Sequence, residues 1–269
     1  GGTGGTGGTT GGTGSGEEPG ASGRPIAKVT HADHALSSWS SFNDSALTGM
    51  MPVAALIFRG GHVSPAKKTF CLKFDRESLF FKSINANTCV AARTLLEQSK
   101  FEVALPAIKE LPWLKETPIP KGAEIFSDPN KIFIPEGQNF VESDTKELRR
   151  DWKKGIQTIN APKSQIVSGW VGGENLKTAD CEFRINTKKA VAAVQSLDNK
   201  PLSSSGKILI TLCARVEALG QWGAEPFVSE PVTGKIKIKA IEGLKVYPLK
   251  PDGSKADAIS ANFADGAYT

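Results

Sequence analysis

The sequence is poor in the groups that carry most enzyme chemistry. Its 269 residues hold 3 histidines, 4 cysteines and 2 methionines. His31, His34 and His62 all precede residue 63, so general-base chemistry in the later part of the chain would have to rely on carboxylates or lysine. No GxSxG motif offers a nucleophile elbow. Cys71, Cys89, Cys181 and Cys213 form no CxxC pair and no dense disulfide framework. Bridges Cys71–Cys89 and Cys181–Cys213 remain open from spacing alone. Core thiols are the favoured reading, with Cys213 buried in the apolar run Ile208–Ala214. Long hydrophobic runs are missing too, which excludes a membrane-spanning helix, and no secretory leader pattern is present. The net charge of +5 is mild. The lysines at 235, 237 and 239 alternate with isoleucine, the pattern of a solvated strand face, and also of an exposed strand kept from pairing with neighbours. No basic patch with interleaved aromatics suggests a nucleic-acid partner.

What is present is organised in three blocks. Twelve of the 28 glycines lie in residues 1–23, a Gly/Thr repeat. Such a segment cannot bury enough apolar surface to offset its ordering entropy, and is expected to be a flexible, disordered tract. Its GxG spacings lack the strand before and the Lys-Ser/Thr after that a phosphate loop requires. Because the sequence starts inside this tract, a piece of a longer, processed chain is expected. Residues 24–121 read as a small α/β segment. Thr30 to Asp33 opens a short helix. A second follows from Asn43 to Gly60-Gly61, with Pro52 near its first turn. Residues 70–82 alternate as a half-buried strand. A helix capped by Asn87 or Thr88 runs through Leu96, and another spans Ala104–Leu111. The Pro-bearing stretch Pro112–Gly122 is the candidate boundary.

Residues 122–269 read almost wholly as β. Candidate strands are 131–134, 155–160, 164–170, 181–186, 190–197, 207–216, 226–230, 235–240 and 244–249. Glycine, asparagine and aspartate turns separate them, with Asp198-Asn199 and Asp252-Gly253 the clearest. Many short strands at this spacing indicate an antiparallel β-sandwich. The fold class is therefore mainly β, with the sandwich preceded by the α/β segment and the Gly/Thr tract.

Candidate chemistry is sparse. Glu142, Asp144, Glu147 and Asp151 supply the carboxylates a glycosidase would need, but no spacing rule places two of them across a sugar, and no catalytic residue is assigned. His31, Asp33 and His34, with His62 as a distant third histidine, form a weak metal pattern better explained as polar residues at a helix start. No metal or cofactor is assigned. Among the aromatic residues, Trp170 ends an apolar strand and is expected in the core. Trp222, between Gly220 and Gly223, is the best candidate for an exposed sugar-stacking ring, with Gln221 and Glu225 beside it and Trp152 as a further glycan contact.

Several separated motifs resemble one family. The passage Ser143-Asp144-Thr145, Glu147-Leu148, Asp151-Trp152, Gly155 to Gln165 and Gly169-Trp170 is similar to a passage near the C-terminus of large secreted bacterial TIM-barrel glycoside hydrolases. Ser196-Leu197-Asp198-Asn199-Lys200-Pro201 with Ile208–Arg215 resembles its continuation, and Leu244–Leu249 with Asp252-Gly253 its final strands. Met51 to Val63 is similar to the closing barrel helix and exit strand. The resemblance spans roughly residues 54–268. It implies a non-catalytic accessory β-sandwich module of an extracellular polysaccharide-degrading enzyme, partnered by a polysaccharide or by a glycoside hydrolase catalytic domain. That family's acid/base and nucleophile lie on upstream barrel strands, so none carries over to this sequence. A free-standing carbohydrate-binding module, or a structural or adhesive surface domain, are the alternatives.

Overall fold

Neighbouring residues of two strands face opposite ways, and in this chain both ways are buried. The computed structural model describes residues 45–113, 115–219 and 226–269. Helix α1 (Ser45–Phe58) leads into a small unit made of β1 (Thr69–Lys73), α2 (Val90–Leu95), β2 (Lys100–Ala104) and β3 (Glu124–Phe126). The three strands form a parallel sheet in the order β2-β1-β3. Leu72 and Phe74 pack there against Ala91 and Ala92 of α2. Phe133 closes this core edge-on, its ring centroid 5.4 Å from Phe70 and 5.0 Å from Phe126.

The antiparallel part follows as β4 (Phe140–Glu142), β5 (Leu148–Asp151), β6 (Ile156–Ala161), β7 (Ser164–Gly169), β8 (Asn175–Lys177), β9 (Cys181–Ile185), β10 (Ala190–Ser196) and β11 (Ile208–Cys213). Next come β12 (Val216–Ala218), β13 (Phe227–Ser229), β14 (Gly234–Lys239), β15 (Phe263–Ala264) and β16 (Ala267–Tyr268). Two sheets result: six strands in the order β11-β10-β7-β6-β5-β4, and five in the order β15-β16-β14-β9-β8. Strands β12 and β13 form a hairpin of their own, in a separate compact unit.

The six-stranded sheet is covered on both sides. Ile156, Val167, Ala192 and Val194 point toward Phe183, Ile185 and Ile238 of the five-stranded sheet and make the sandwich core. Ile166 and Ala193, one residue out of phase, face Val53 of α1, with Met50, Ile57 and Ile159 around them. This explains why β7 and β10 are buried almost continuously, Gln165 and Gln195 included, where a one-faced strand would alternate. The five-stranded sheet is covered on one face only, and β9 and β14 alternate accordingly.

A buried polar chain ties α1 to the sheet. The ring of His62 lies beyond the helix end, which turns through Gly61 at φ +59°. Its Nδ1 is 2.7 Å from the Ser164 hydroxyl. The Gln195 amide donates to that hydroxyl at 3.0 Å and to the Val53 carbonyl at 3.2 Å. All three side chains are buried. The Gln195 Oε1 atom has no partner, so the chain is not fully satisfied.

The structure departs from the sequence reading at identifiable places. The strand expected over 70–82 ends at Lys73, and Glu77–Phe81 forms a single π-helical turn fixed by Asp75, whose carboxylate accepts from the Ser78 amide at 2.6 Å. No helix spans Ala104–Leu111; Ala104 instead closes β2 on the register of β1. Pro52 is interior to α1, where it withholds an amide from the helical ladder. Cys89, not Asn87 or Thr88, takes the cap position of α2, with no side-chain cap bond. Residues 131–134 form no strand, because Phe133 spends its backbone amide on the Thr94 hydroxyl at 3.2 Å. Residues 244–249 contribute only isolated bridges, Val246 to Ile259 and Leu249 to Lys255, around Pro248, which has no amide to donate. The parallel sheet takes β3 from beyond the Pro112–Gly122 stretch.

No disulfide joins the four cysteines. Cys213 is half-buried on the edge strand β11, where the sequence pattern had indicated full burial. Burial and then the Asp180 carboxylate push the Cys181 thiol up to about 12, which makes it chemically inert in the native state.

Burial, and secondarily Lys163, hold His62 below the ordinary imidazole value of 6.5. The unfolded chain therefore takes up a proton that the folded chain refuses, and stability falls as pH drops below about 6.5. Urea midpoints measured between pH 7 and pH 5 should decline in the native protein and decline less in His62→Gln.

Candidate functional site

The four carboxylates considered from the sequence, Glu142, Asp144, Glu147 and Asp151, sit at or beside the β4–β5 hairpin, and each is already engaged. The hairpin turns at Lys146, φ +65°, with the Ser143 amide on the Leu148 carbonyl at 2.8 Å. Asp144, at its tip, accepts from the backbone amides of Lys67 at 3.0 Å and Lys68 at 2.7 Å, and from the Ser99 hydroxyl at 3.3 Å. Its own amide donates to the Gln98 carbonyl at 2.7 Å. Glu147 accepts from the Ser64 amide at 2.6 Å and the Ser64 hydroxyl at 2.8 Å. Glu142 meets Lys146 at 2.8 Å and Arg149 at 3.9 Å. Asp151 accepts from the Lys154 amide at 3.0 Å, closing the β5–β6 turn.

This arrangement is a clasp. The chain between α1 and β1 carries backbone amides at Ser64, Lys67 and Lys68 that no ladder satisfies, and the hairpin tip supplies carboxylate oxygens to them. Burial opposes ionisation of Asp144, but the amides of Lys68 and Lys67 and the Ser99 hydroxyl outweigh it and hold the carboxyl below its usual value. A hollow of about 220 Å³ lies at the clasp, bordered by Lys68, Gln98, Ser99, Glu142, Asp144 and Lys146. Its two carboxylates have their charge committed to amides and cations, which suits holding two elements together and not exchanging protons with a substrate.

A second polar turn follows β10. Asp198 Oδ1 accepts from the hydroxyls of Ser205 at 2.7 Å and Ser196 at 2.8 Å, and Oδ2 accepts from the Gly206 amide at 2.9 Å. These bonds hold the Asp198 carboxyl well below the usual carboxylate range. The Ser196–Pro201 passage is thus a turn anchor: an Asx-type residue organising its own backbone.

One tryptophan departs from the sequence expectation. Trp170 is 49% exposed, not in the core. Strand β7 ends at Gly169, so its next residue leaves the sheet, and the indole lies over Gly155, where a Cβ would come within 2.5 Å of its ring. Lys188 and Lys189 place their ammonium groups 5.3 and 5.7 Å from the ring centroid. Trp152, also exposed at 41%, stands at the same end of the sheet, one residue beyond β5. Register joins these positions, because Asp151 pairs with Ile156, and Ile156 with Gly169. Trp222, Gln221 and Glu225 lie outside the described residues, as do His31, Asp33 and His34. His62 is buried against Ser164. Among the described residues, no group of three or more His, Cys, Asp or Glu side chains is arranged to hold a metal ion.

An exposed apolar face, which would distinguish an accessory module from a free-standing one, lies on α1. Met50, Val53 and Ile57 face the sheet, yet Met51, Ala54 and Phe58 form a second apolar stripe at i, i+3 and i+7 on another side. Met51 is 57% exposed and Phe58 89%. The signal was available: the helix sequence has no charged residue in any turn, the mark of a helix buried all round.

Comparisons with protein families, with curated proteins and with solved structures return no match.

Removing the clasp carboxylate should loosen the segment that it holds. In Asp144→Ala, hydrogen–deuterium exchange at Lys67 and Lys68 should quicken at least about tenfold, while the β9 and β14 amides keep their native protection.

Proposed function

We propose that this chain is a non-catalytic accessory β module of an extracellular polysaccharide-degrading glycoside hydrolase, docked against a barrel catalytic domain through α1. The observation that carries the reading is the second apolar stripe, Met51, Ala54 and Phe58, on a helix whose first stripe is already buried. An exposed side chain as large as Phe58 in a stripe of this kind marks a contact surface. The resemblance of residues 51–63 to a closing barrel helix names the partner that would cover it. The carboxylates Glu142, Asp144, Glu147 and Asp151, committed to turns, amides and cations, support the non-catalytic part of the reading.

A second reading, a free-standing carbohydrate-binding module, is favoured by the exposed indoles of Trp152 and Trp170. The two differ in which surface does the work. Under the first, co-expression with a barrel domain of the resembled hydrolases, freed of its own C-terminal β domain, should give a complex that co-elutes on size exclusion. Met51→Glu/Phe58→Glu should abolish it without lowering the melting temperature of the isolated chain. A chain that elutes alone, yet binds neutral polysaccharide in a manner lost in Trp152→Ala, would replace the first reading with the second.

A further inference from the structure

The outer face of the five-stranded sheet carries charge of nearly one sign. On β8, β9 and β14 the inward residues are Leu176, Phe183, Ile185, Ile236 and Ile238. The outward ones include Lys177, Arg184, Lys235, Lys237 and Lys239, against the single carboxylate Glu182. That carboxylate is already taken: it accepts from Arg184 Nε at 2.8 Å and lies 4.0 Å from Lys177. Lys239 donates to the Ala179 carbonyl at 3.3 Å. Lys235 and Lys237 have no anionic partner among the described residues and border a hollow of about 220 Å³ with Arg184, Glu182 and Thr269.

Guarding a sheet edge explains only part of this face. Lys235 and Lys237 lie on a stretch of β14 paired on one side, by β9, and lysines there discourage a further strand. Arg184 is different. It sits on β9, which is hydrogen-bonded on both sides, and it stands directly opposite Lys235. Arg184 guards no edge, and although it is ion-paired with Glu182, which itself stands opposite Lys237, that one carboxylate does not balance the cations of this face. Its geometry suits something else. Alternate residues of a strand lie about 6.6–6.8 Å apart and neighbouring strands about 4.8 Å, so Lys235, Lys237 and Lys239 form a row roughly 13 Å long with Arg184 beside it.

We propose that this face binds a linear polysaccharide carrying carboxylate or sulfate groups, laid along β14 with its anionic groups on Lys235, Lys237 and Arg184. A row of cations complements a polymer of repeated charges better than a single small anion. The described outward positions of β8, β9 and β14 present no aromatic ring on which bases would stack, which favours a glycan over a single-stranded nucleic acid. The inference is independent of the α1 stripe. That stripe belongs to the helix covering the six-stranded sheet, on the opposite side of the sandwich. A partner on α1 would leave the cationic face open.

The test is affinity electrophoresis of the full chain in gels containing dextran sulfate, polygalacturonate, neutral dextran or single-stranded DNA, at low and high salt. Lys235→Ala/Lys237→Ala is compared with Lys109→Ala/Lys121→Ala, which removes the same charge from exposed positions elsewhere. Retardation is expected with dextran sulfate, polygalacturonate or both, and none with neutral dextran. Which of the two retards identifies sulfate or carboxylate as the preferred group. Affinity should fall at least about tenfold in the first variant, stay within about twofold in the second, and weaken with salt as displaced counterions require. Equal loss in both variants would reduce the effect to net charge and overturn the proposal. So would no retardation by either anionic glycan, or tighter binding of DNA through the same lysines. Melting temperatures of both variants confirm that each is folded, and failure of barrel docking would leave this result untouched.

Discussion

Everything in the larger unit depends on β7 and β10 having no solvent face. Val167, Ala192 and Val194 point into the sandwich, while Ile166 and Ala193 point at α1. A slip of one residue in either strand would exchange the two sets, and neither set fits the opposite space: one meets Phe183, the other Val53 and the His62–Ser164–Gln195 chain. The register is therefore specified twice, once by each cover. Helix α1 is part of the same core and not an appendage to the sandwich.

The same two-sidedness accounts for the clasp. A helix fixed on one face of the sheet must be connected to β1, and the connecting segment leaves backbone amides at Ser64, Lys67 and Lys68 in need of acceptors. Asp144 and Glu147 meet that need from the β4–β5 tip. The acidic residues of this passage thus have a structural reason to be there. The Asp198 turn makes the same point on the other side of β10: an ionised carboxylate surrounded by two hydroxyls and an amide is a means of fixing a loop.

Much of the β half was legible because its strands are bounded by turns with strong chemistry. The strands at 156–161, 164–169, 181–185 and 190–196 emerge within one or two residues of the sequence reading. The short strands at 140–142 and 148–151 were not legible, since they are only three and four residues long and become strands through pairing, β4 with β5 and β5 with β6. Trp170 misled because the apolar run before it gives no sign that the sheet ends one residue earlier, at Gly169 with φ +102°. The helix expected over Ala104–Leu111 fails for a related reason: Ala104 is taken by the parallel pairing with β1 and the Leu105 carbonyl by the Thr117 amide, tertiary contacts that periodicity does not see. The cationic face was visible as alternation, but not as a surface. Only the pairing of Lys235 with Arg184 brings lysines and arginine from separate strands into one row.

The central claim is that α1 and the five-stranded sheet share one cooperative core through β7 and β10. Native-state hydrogen exchange resolved by residue tests it most directly. The account predicts that amides of residues 164–169 and 190–196 exchange last, through global unfolding, and that a Val53→Asp substitution on α1 lowers their protection together with that of β9. Fast, independent exchange of β7 and β10 in the native protein, or a Val53→Asp variant that loses α1 while leaving both strands fully protected, would contradict it.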